Sequence, residues 1–243
     1  MPAPLVVFVP GFMQRGDAWD PVARTVAERY PTLCVDFASS TFEERIGELL
    51  EAATPGAVMV GYSMGGRLAL QLAARHPDRL GALVTVGASA GIEDPDERRR
   101  RAQADEELAG WMERAPIEDV VARWEGSPVF AGQPAALVEE QRPGRLSHDP
   151  SDLARLLRSA GQGALDPVWD RVAALPMPIL ALAGERDARY VDAARRLAEL
   201  APHGRCEVVP GAGHAAHLER PDVVAAHVLG LVSSARGSCS EPG

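Results

Sequence analysis

The sequence contains no lysine, has few cysteines, and lacks any apolar run long enough to cross a membrane. All 25 basic residues are arginine, against 34 acidic ones, so the net charge is −9. This acidic balance argues against nucleic-acid binding and against a polybasic membrane surface. A membrane span needs roughly 20 consecutive apolar residues, and no such run occurs. The arginines are permanently charged planar groups, which suit carboxylate ligands.

The three cysteines, Cys34, Cys206 and Cys239, are scattered along the chain, without a second cysteine or a histidine at metal-ligand spacing. This pattern argues against a disulfide framework and against a zinc site. Cys34 lies in an apolar run and is expected in the core. Residues 1–4 lack the basic and apolar segments of a signal peptide. We therefore expect a cytoplasmic protein in a reducing compartment, either a monomer or a weak homo-oligomer.

Short apolar runs alternate with helical patterns along most of the 243 residues. This length favours one domain, and the composition, 46% hydrophobic and 24% charged, is that of a globular protein. The predicted strands, each expected to be buried on both faces, are Leu5–Val9, Leu33–Val35, Ala57–Val60, Ala82–Val86, Ile179–Ala183 and Cys206–Val209. The predicted helices are Trp19–Arg29, Phe42–Ala53, Met64–Arg75, Val191–Leu200 and Pro221–Leu231. This alternation predicts an α/β fold with a mostly parallel, doubly wound sheet.

One long stretch, residues 91–163, interrupts this alternation because it has helical patterning and many charges but no strand-like run. We interpret it as a helical cap inserted between two strands. The cap would cover the carboxyl edge of the sheet, where open α/β sheets bind ligands. Residues 1–90 and 164–232 are predicted to form the core of the fold. The small, polar segment 233–243 is predicted to be a disordered tail.

Residues 61–65 read Gly-Tyr-Ser-Met-Gly, a G-x-S-x-G motif between a predicted strand and a predicted helix. This is the strand–turn–helix context of a nucleophile elbow. The glycines fit because side chains two residues from a serine on so tight a turn would collide. The alternative is a glycine-rich turn with an incidental serine. The setting favours Ser63 as a nucleophile.

A nucleophilic serine needs a base and a residue that orients the base, and in this fold the carboxylate precedes the histidine. Asp187 follows the strand at 179–183, and His214 ends a glycine loop after the strand at 206–209. Glu185 is the alternative carboxylate, but Asp187 lies farther into its loop and is preferred. His217 is expected to cap a helix or to pack.

An oxyanion hole needs two backbone donors. The N–H of Met64, directly after the serine, is the first candidate. The second must come from the loop after the first strand. Pro10 has no N–H, so the N–H of Phe12 is expected to supply it.

Arg67 follows Ser63 by one helical turn and would lie on the same helix face. A permanent cation beside the nucleophile suits an anionic substrate better than a neutral ester. The alternative is an arginine solvated at the side of the helix. Taken alone, Arg98, Arg101 and Arg145 in the cap would be exposed helix charges, and Trp124 would be a packing aromatic.

From about Leu5 to Leu231 the chain resembles an α/β-hydrolase, and more narrowly the 2-succinyl-6-hydroxy-2,4-cyclohexadiene-1-carboxylate synthases of bacterial menaquinone (vitamin K2) biosynthesis. The elbow, residues 61–67, resembles that family's, including the tyrosine before the serine and the arginine after it. The cap segments are more specific than the elbow. The first consists of Gly91-Ile92, Glu97-Arg98 and Arg101 through Asp105, and the second is Trp124 through Phe130. The third consists of Arg145-Leu146-Ser147, Leu153-Ala154 and Leu157-Arg158, and the fourth is Gly161-Gln162-Gly163 together with Trp169. Residues 213–219, outside the cap, also resemble the family.

The resemblance implies a lyase that eliminates pyruvate from 2-succinyl-5-enolpyruvyl-6-hydroxy-3-cyclohexene-1-carboxylate, an anionic small molecule, without a metal or organic cofactor. Ser63, activated by His214 and Asp187, would remove a ring proton, and the oxyanion hole would stabilise the enolate-like charge. The residues implied to bind the substrate are Tyr62, Arg67, Arg98, Arg101, Trp124 and Arg145.

Two loops differ from the family's pattern. The family usually has His-Gly-Phe after the first strand, where this chain has Pro10-Gly11-Phe12, and it has a D-L-P-G-H-G turn where this chain has residues 36–40. Two other functions stay open at this point. The same three residues could form an acyl-enzyme in a carboxylic-ester or carbon–carbon bond hydrolase. A non-catalytic binding module is a third possibility, but it would not need an intact Ser63–Asp187–His214 set.

Overall fold

The computed structural model describes residues 3–237, so Cys239 and the end of the predicted tail lie outside the described residues. Six strands form one sheet in the order β2-β1-β3-β4-β5-β6, and every neighbouring pair is parallel. The strands are β1 Val6–Val9, β2 Thr32–Cys34, β3 Ala57–Tyr62, β4 Leu80–Val86, β5 Ile179–Gly184 and β6 Gly204–Val209. The predicted parallel α/β fold is confirmed.

Helices separate and follow these strands. They are α1 Asp20–Ala27, α2 Phe42–Ala52, α3 Met64–Arg75, α4 Pro95–Met112, α5 Ile117–Glu125, α6 Ala135–Leu146, α7 Pro150–Ala160, α8 Trp169–Val172, α9 Ala188–Leu200, α10 Ala216–Glu219 and α11 Pro221–Gly237. Short 3-10 turns span Gly16–Trp19 and Pro128–Phe130. The prediction ended the last helix at Leu231, but α11 continues to Gly237, so residues 233–237 are helical and do not belong to a disordered tail. In residues 3–237 no helix is long and apolar enough to cross a bilayer.

The prediction that every strand is buried on both faces is wrong for the two edge strands. β1, β3 and β5 are buried throughout, and β4 almost so, whereas Leu33 in β2 is 40% exposed and β6 alternates between exposed and half-buried residues. An edge strand has a neighbour on one side only, so helices cover it less completely. Cys34, predicted in the core, is half-buried at this edge, where burial and nearby acidic groups, Asp20 first, raise the pKa of its thiol to about 11.

Hydrophobic cores lie on both faces of the sheet because successive residues of a strand point to opposite sides. Val6 and Phe8 of β1 pack with Trp19 and the apolar faces of α1 and α11. Val7 and Val9 pack on the other face with α2, α3 and α9. The site at the carboxyl edge is therefore supported from both sides.

Between β4 and β5, the described chain contains helices and no strand. α4 packs against α7, and α5 packs against α6. Asp94 caps α4 and Asp149 caps α7, each by accepting two backbone N–H bonds. Arg158 of α7 pairs with Glu106 of α4 and with Glu113 directly after α4, which ties the two helices together. We call residues 95–160 the helical insertion; the predicted cap boundaries at 91 and 163 remain a prediction.

The start of α3 passes very close to the end of β1. A Cβ at Gly65 would lie 2.4 Å from the carbonyl oxygen of Val9, closer than real Cβ atoms approach. We expect Gly65→Ala to lower the free energy of unfolding by about 1–3 kcal/mol, the cost of overpacking. Calorimetric melting should show this as a lower Tm.

Gly47→Ala is the matched control because Gly47 lies inside α2 with open space where its Cβ would be. Alanine favours helix over glycine by about 0.8–1.0 kcal/mol, so this variant should melt at a higher temperature. A Gly65→Ala protein that melted at or above the wild-type temperature would contradict the close approach.

Candidate active site

Ser63 forms the turn between β3 and α3 in a left-handed backbone conformation. Its φ is 50° and its ψ −110°. A non-glycine residue in such a region costs on the order of 1–3 kcal/mol, so the surrounding structure must hold it there. The N–H of Ser63 donates to the carbonyl of Val86 at 2.9 Å, and its carbonyl accepts from Arg67 N–H at 3.0 Å. Gly61 and Gly65 permit this turn, since a Cβ at Gly61 would lie 2.5 Å from the Gly65 oxygen.

The structure brings Ser63, His214 and Asp187 together. His214 Nε2 lies 3.1 Å from Ser63 Oγ, and His214 Nδ1 lies 2.6 Å from Asp187 Oδ2. Asp187 precedes α9 and His214 follows β6, so both reach the carboxyl edge of the sheet. This geometry would let His214 take a proton from Ser63 while Asp187 fixes the tautomer and balances the charge. Glu185 instead accepts the backbone N–H of Gly211 at 2.8 Å, in the loop that carries His214.

Two tyrosines pack against the His214 ring. The ring centroids lie 5.3 Å away for Tyr62 and 4.6 Å for Tyr190. Burial raises the pKa of Tyr62 well above its ordinary value, so its hydroxyl stays protonated and can donate a hydrogen bond. Gln162 donates from Nε2 to the Tyr190 hydroxyl at 2.8 Å. The sequence prediction missed Tyr190, whose signal is its place three residues after Asp187, on the first turn of α9.

One predicted oxyanion donor belongs to the residue directly after Ser63, and the other to a residue that lines the same cavity as Ser63. Met64 is the first residue of α3, so its N–H has no acceptor within the helix and lies at the positive end of the helix dipole. Phe12 lines the same cavity as Ser63. Gly11 N–H donates to Gln14 Oε1 at 3.1 Å and is therefore occupied, and the Phe12 N–H stays the predicted donor from this loop.

The helical insertion covers this site. Ser63 faces a cavity of about 30 Å³, whose roof includes Trp124, Phe130 and Arg145 of the insertion. Trp124 packs edge-on against Phe12, at 5.2 Å between ring centroids. Pockets that bind small molecules measure roughly 300–1,000 Å³, about ten times more or larger. An organic substrate therefore requires side chains of the roof to move.

Arg145 is a buried cation in the wall of this cavity, with a side chain only 3% exposed. Its Nη1 donates to Glu125 at 2.9 Å, whereas its Nε has no partner among the described residues. Burial by itself raises the pKa of Glu125, but hydrogen bonds from Arg142 and Arg145 outweigh it and leave the pKa below its usual value. Arg145 is thus held by one carboxylate and retains N–H groups for another.

Arg67 is buried, so the alternative of a solvated arginine is wrong. Its Nη2 makes a 3.4 Å hydrogen bond to the carbonyl of Ala160, and its Nε has no partner in the described part of the chain. No carboxylate of residues 3–234 lies within ion-pair distance of it. Burial lowers its pKa, which shows how poorly the charge is compensated. Arg67 does not line the Ser63 cavity but a second small cavity, together with Gln162.

The other two arginines implied by the resemblance do not line the Ser63 cavity. Arg98 pairs with Asp166 at 3.4 Å near the surface. Arg101 pairs with Asp105 at 2.8 Å and adds positive potential at Arg67. The structure therefore places Arg101 near Arg67 and Arg98 farther out, while Tyr62, Trp124 and Arg145 line the Ser63 cavity directly.

Replacing Asp187 with Asn keeps the size of the side chain but removes the charge that would stabilise protonated His214. We expect Asp187→Asn to slow hydrolysis of p-nitrophenyl acetate by on the order of 10⁴-fold, the effect of this change in serine proteases. Glu185→Gln is the control, because its amide oxygen can still accept the Gly211 N–H. It should stay within about threefold of wild type, as surface substitutions do. Equal losses in both variants would contradict the assignment of Asp187.

Comparison with known proteins agrees with this fold. A model described as the alpha/beta hydrolase family matches residues 6–227. A relative in Bacillus subtilis (strain 168) is 37% identical over 167 residues, which are 67% of this chain and 61% of that relative's length. The 2-succinyl-6-hydroxy-2,4-cyclohexadiene-1-carboxylate synthase of Enterobacter sp. (strain 638) is 30% identical over 240 residues, covering 92% of this chain and 89% of the synthase.

Among solved structures, MenH from S. aureus superposes with a TM-score of 0.90 at 26% identity, covering 97% of this chain and 96% of that one. The family resemblance inferred from the cap segments is confirmed. The chain belongs to the α/β-hydrolase family and, within it, to the 2-succinyl-6-hydroxy-2,4-cyclohexadiene-1-carboxylate synthases.

Proposed function

We propose that this chain is a lyase that eliminates pyruvate from 2-succinyl-5-enolpyruvyl-6-hydroxy-3-cyclohexene-1-carboxylate to give 2-succinyl-6-hydroxy-2,4-cyclohexadiene-1-carboxylate. One observation carries the proposal. Arg67 and Arg145 are buried beside a Ser–His–Asp arrangement, and both retain guanidinium nitrogens without a partner in the described residues. Buried cations are costly unless an anion compensates them. A substrate with several carboxylates supplies such anions, whereas a neutral ester does not.

The reaction requires one proton to leave the ring. Carbon 2 carries the succinyl group, so its proton lies next to a ketone and its loss gives an enolate. The electron pair then forms the C2–C3 double bond, the existing C3–C4 double bond moves to C4–C5, and the C5–O bond breaks. The leaving group departs as the enolate of pyruvate and takes up one proton. No oxidant, reductant or water is consumed.

Ser63 is proposed as the base for that proton. As Ser63 Oγ takes the ring proton, His214 Nε2 takes the hydroxyl proton of the serine at 3.1 Å. Asp187, at 2.6 Å from His214 Nδ1, stabilises the resulting imidazolium. The N–H groups of Phe12 and Met64 are proposed to bind the enolate oxygen, where the negative charge develops. The proton held by His214 is then available to the leaving group.

Arg67 and Arg145 are proposed to bind two different carboxylates, because they line two separate cavities, and Ser63 lines only the one that contains Arg145. In a site shielded from water such charge-assisted hydrogen bonds are stronger than at the surface. Arg101 would add to the potential at Arg67, while Tyr62 and Trp124 would contact the ring. Arg98, near the surface, is proposed as an outer contact.

Ser63→Ala removes the proposed base, and because alanine is slightly smaller than serine it introduces no steric clash in the cavity. We expect pyruvate release, followed with lactate dehydrogenase, to fall by at least about 10³-fold, while calorimetric titration shows that substrate binding is retained. Ser151→Ala, at an exposed serine of the insertion, is the control and should match wild type. Wild-type turnover in Ser63→Ala would overturn the mechanism. Ester hydrolysis without pyruvate release by the wild type would instead favour a serine hydrolase with the same triad.

Arg67→Met removes the buried charge but keeps a side chain of similar length. Losing a charge-assisted hydrogen bond costs about 1.5–3 kcal/mol, so we expect KM to rise, kcat to fall, and kcat/KM to fall by about 10- to 100-fold. The control is Arg75→Met on the same helix, because Arg75 forms a surface pair with Glu43 at 2.9 Å. Steady-state kinetics of pyruvate release checks both variants. Unchanged kinetics in Arg67→Met would refute the anion-binding role.

A further inference from the structure

The loop that carries the Phe12 donor is closed by the side chain of Gln14. Gly11 N–H donates to Gln14 Oε1 at 3.1 Å, and Gln14 N–H donates to the Gly11 carbonyl at 3.3 Å. Met13 between them is buried and has a left-handed backbone, with φ 58°. The turn from residue 11 to residue 14 is therefore held by two hydrogen bonds against local strain. Their loss would free the Phe12 N–H to move.

The Gln14 amide is in turn fixed by His217. Gln14 Nε2 lies 3.3 Å from His217 Nε2. Because Gly11 N–H is a donor, the oxygen of the amide must face Gly11 and the nitrogen must face His217. His217 Nε2 is therefore an acceptor, and the neutral ring carries its proton on Nδ1. That Nδ1 has no hydrogen-bond partner in the described residues.

His217 is held in place by packing. Its side chain is fully buried, and its ring lies between Trp19, at 4.5 Å, and Tyr62, at 4.2 Å between centroids. Burial, with a smaller contribution from His214, lowers the pKa of His217 to about 3, so the ring is neutral near neutral pH. Because His217 is a neutral acceptor held by its packing, only one orientation of the Gln14 amide satisfies both Gly11 N–H and His217.

The loop cannot be fixed by its own first residues. Pro10 has no N–H, and the Gly11 position cannot carry a side chain, because a Cβ there would lie 2.6 Å from Tyr62 Cδ1. The Gln14 side chain is thus the polar group of the loop whose hydrogen bond to Gly11 N–H closes the turn.

We propose that Gln14, which lines the Ser63 cavity, and His217, which does not, are positioning residues that hold the Phe12 N–H at the oxyanion hole and thereby control the catalytic rate. This inference rests on the proposed function for the identity of the reaction. The geometry of the loop can be tested separately through the rate of ester hydrolysis, because the tetrahedral oxyanion of that reaction needs the same two N–H donors.

His217→Phe is the decisive variant, because phenylalanine keeps the packing between Trp19 and Tyr62 but cannot accept from Gln14. A donor displaced by about 1 Å can cost on the order of 10²-fold in rate. We therefore expect kcat to fall by about 10- to 100-fold with KM within about threefold. Because the change also removes a buried N–H without a partner, Tm should not fall by more than about 4 °C. A structural role would lower Tm and kcat together, which would overturn the proposal.

Gln14→Leu should lower kcat to a similar extent. Since the two residues act as one unit, the kcat of the Gln14→Leu/His217→Phe double variant should be no lower than that of the more impaired single variant. Losses that multiply in the double variant would refute the coupling. His148→Phe is the matched control. His148 is a mostly buried histidine whose pKa is also lowered, to about 4, by burial and by Arg15, and it does not line the Ser63 cavity. It should keep wild-type kcat.

Every variant is assayed by pyruvate release and by hydrolysis of p-nitrophenyl acetate. If wild-type protein released no pyruvate, the proposed function would fail, and the comparison of kcat for ester hydrolysis would still decide the role of Gln14 and His217. If His217→Phe matched wild type in both assays, the positioning proposal would fail and the lyase function would stand.

Discussion

The left-handed turn at Ser63 is the constraint on which the rest of the site depends. It costs on the order of 1–3 kcal/mol, and it exists because β3 and α3 meet where a side chain at Gly61 or Gly65 would overlap backbone atoms. The turn raises Ser63 Oγ above the carboxyl edge and directs the start of α3 toward it. Because the sheet is parallel, the loops after β5 and β6 reach the same edge. They bring His214 within hydrogen-bond distance of Ser63, and Asp187 within hydrogen-bond distance of His214.

Much of this arrangement could be predicted from the sequence because its signals are local. The G-x-S-x-G turn, the carboxylate after β5 and the glycine loop before His214 each lie next to a recognisable strand. The burial of Arg67 could not be predicted, because the groups that cover it, such as Ala160, lie about 90 residues away in the insertion. The partial exposure of the two edge strands could not be predicted for a related reason. An apolar run in the sequence does not show how many neighbouring strands it will have in the sheet.

The insertion buries two cations, and the proposed anionic substrate would offset part of the electrostatic cost. Among the described residues no carboxylate pairs with Arg67, and Arg145 shares Glu125 with Arg142. A site optimised for stability alone would solvate or pair these charges. In the proposed function their placement serves to bind an anion, and the small volume of the Ser63 cavity, about 30 Å³, implies that substrate binding is coupled to movement of the roof. Stability and function are thus in opposition at the same side chains.

The two histidines near Ser63 illustrate how burial divides chemical roles. His214 has a carboxylate at 2.6 Å that can balance a proton, whereas His217 packs between Trp19 and Tyr62, lies beside the Gln14 amide, and has no carboxylate partner in the described residues. A proton on His217 would oppose the imidazolium that must form on His214, since the charges repel each other in a poorly solvated region. Keeping His217 neutral therefore serves two ends. It gives Gln14 a fixed acceptor, and it leaves His214 free to take the proton that the chemistry requires.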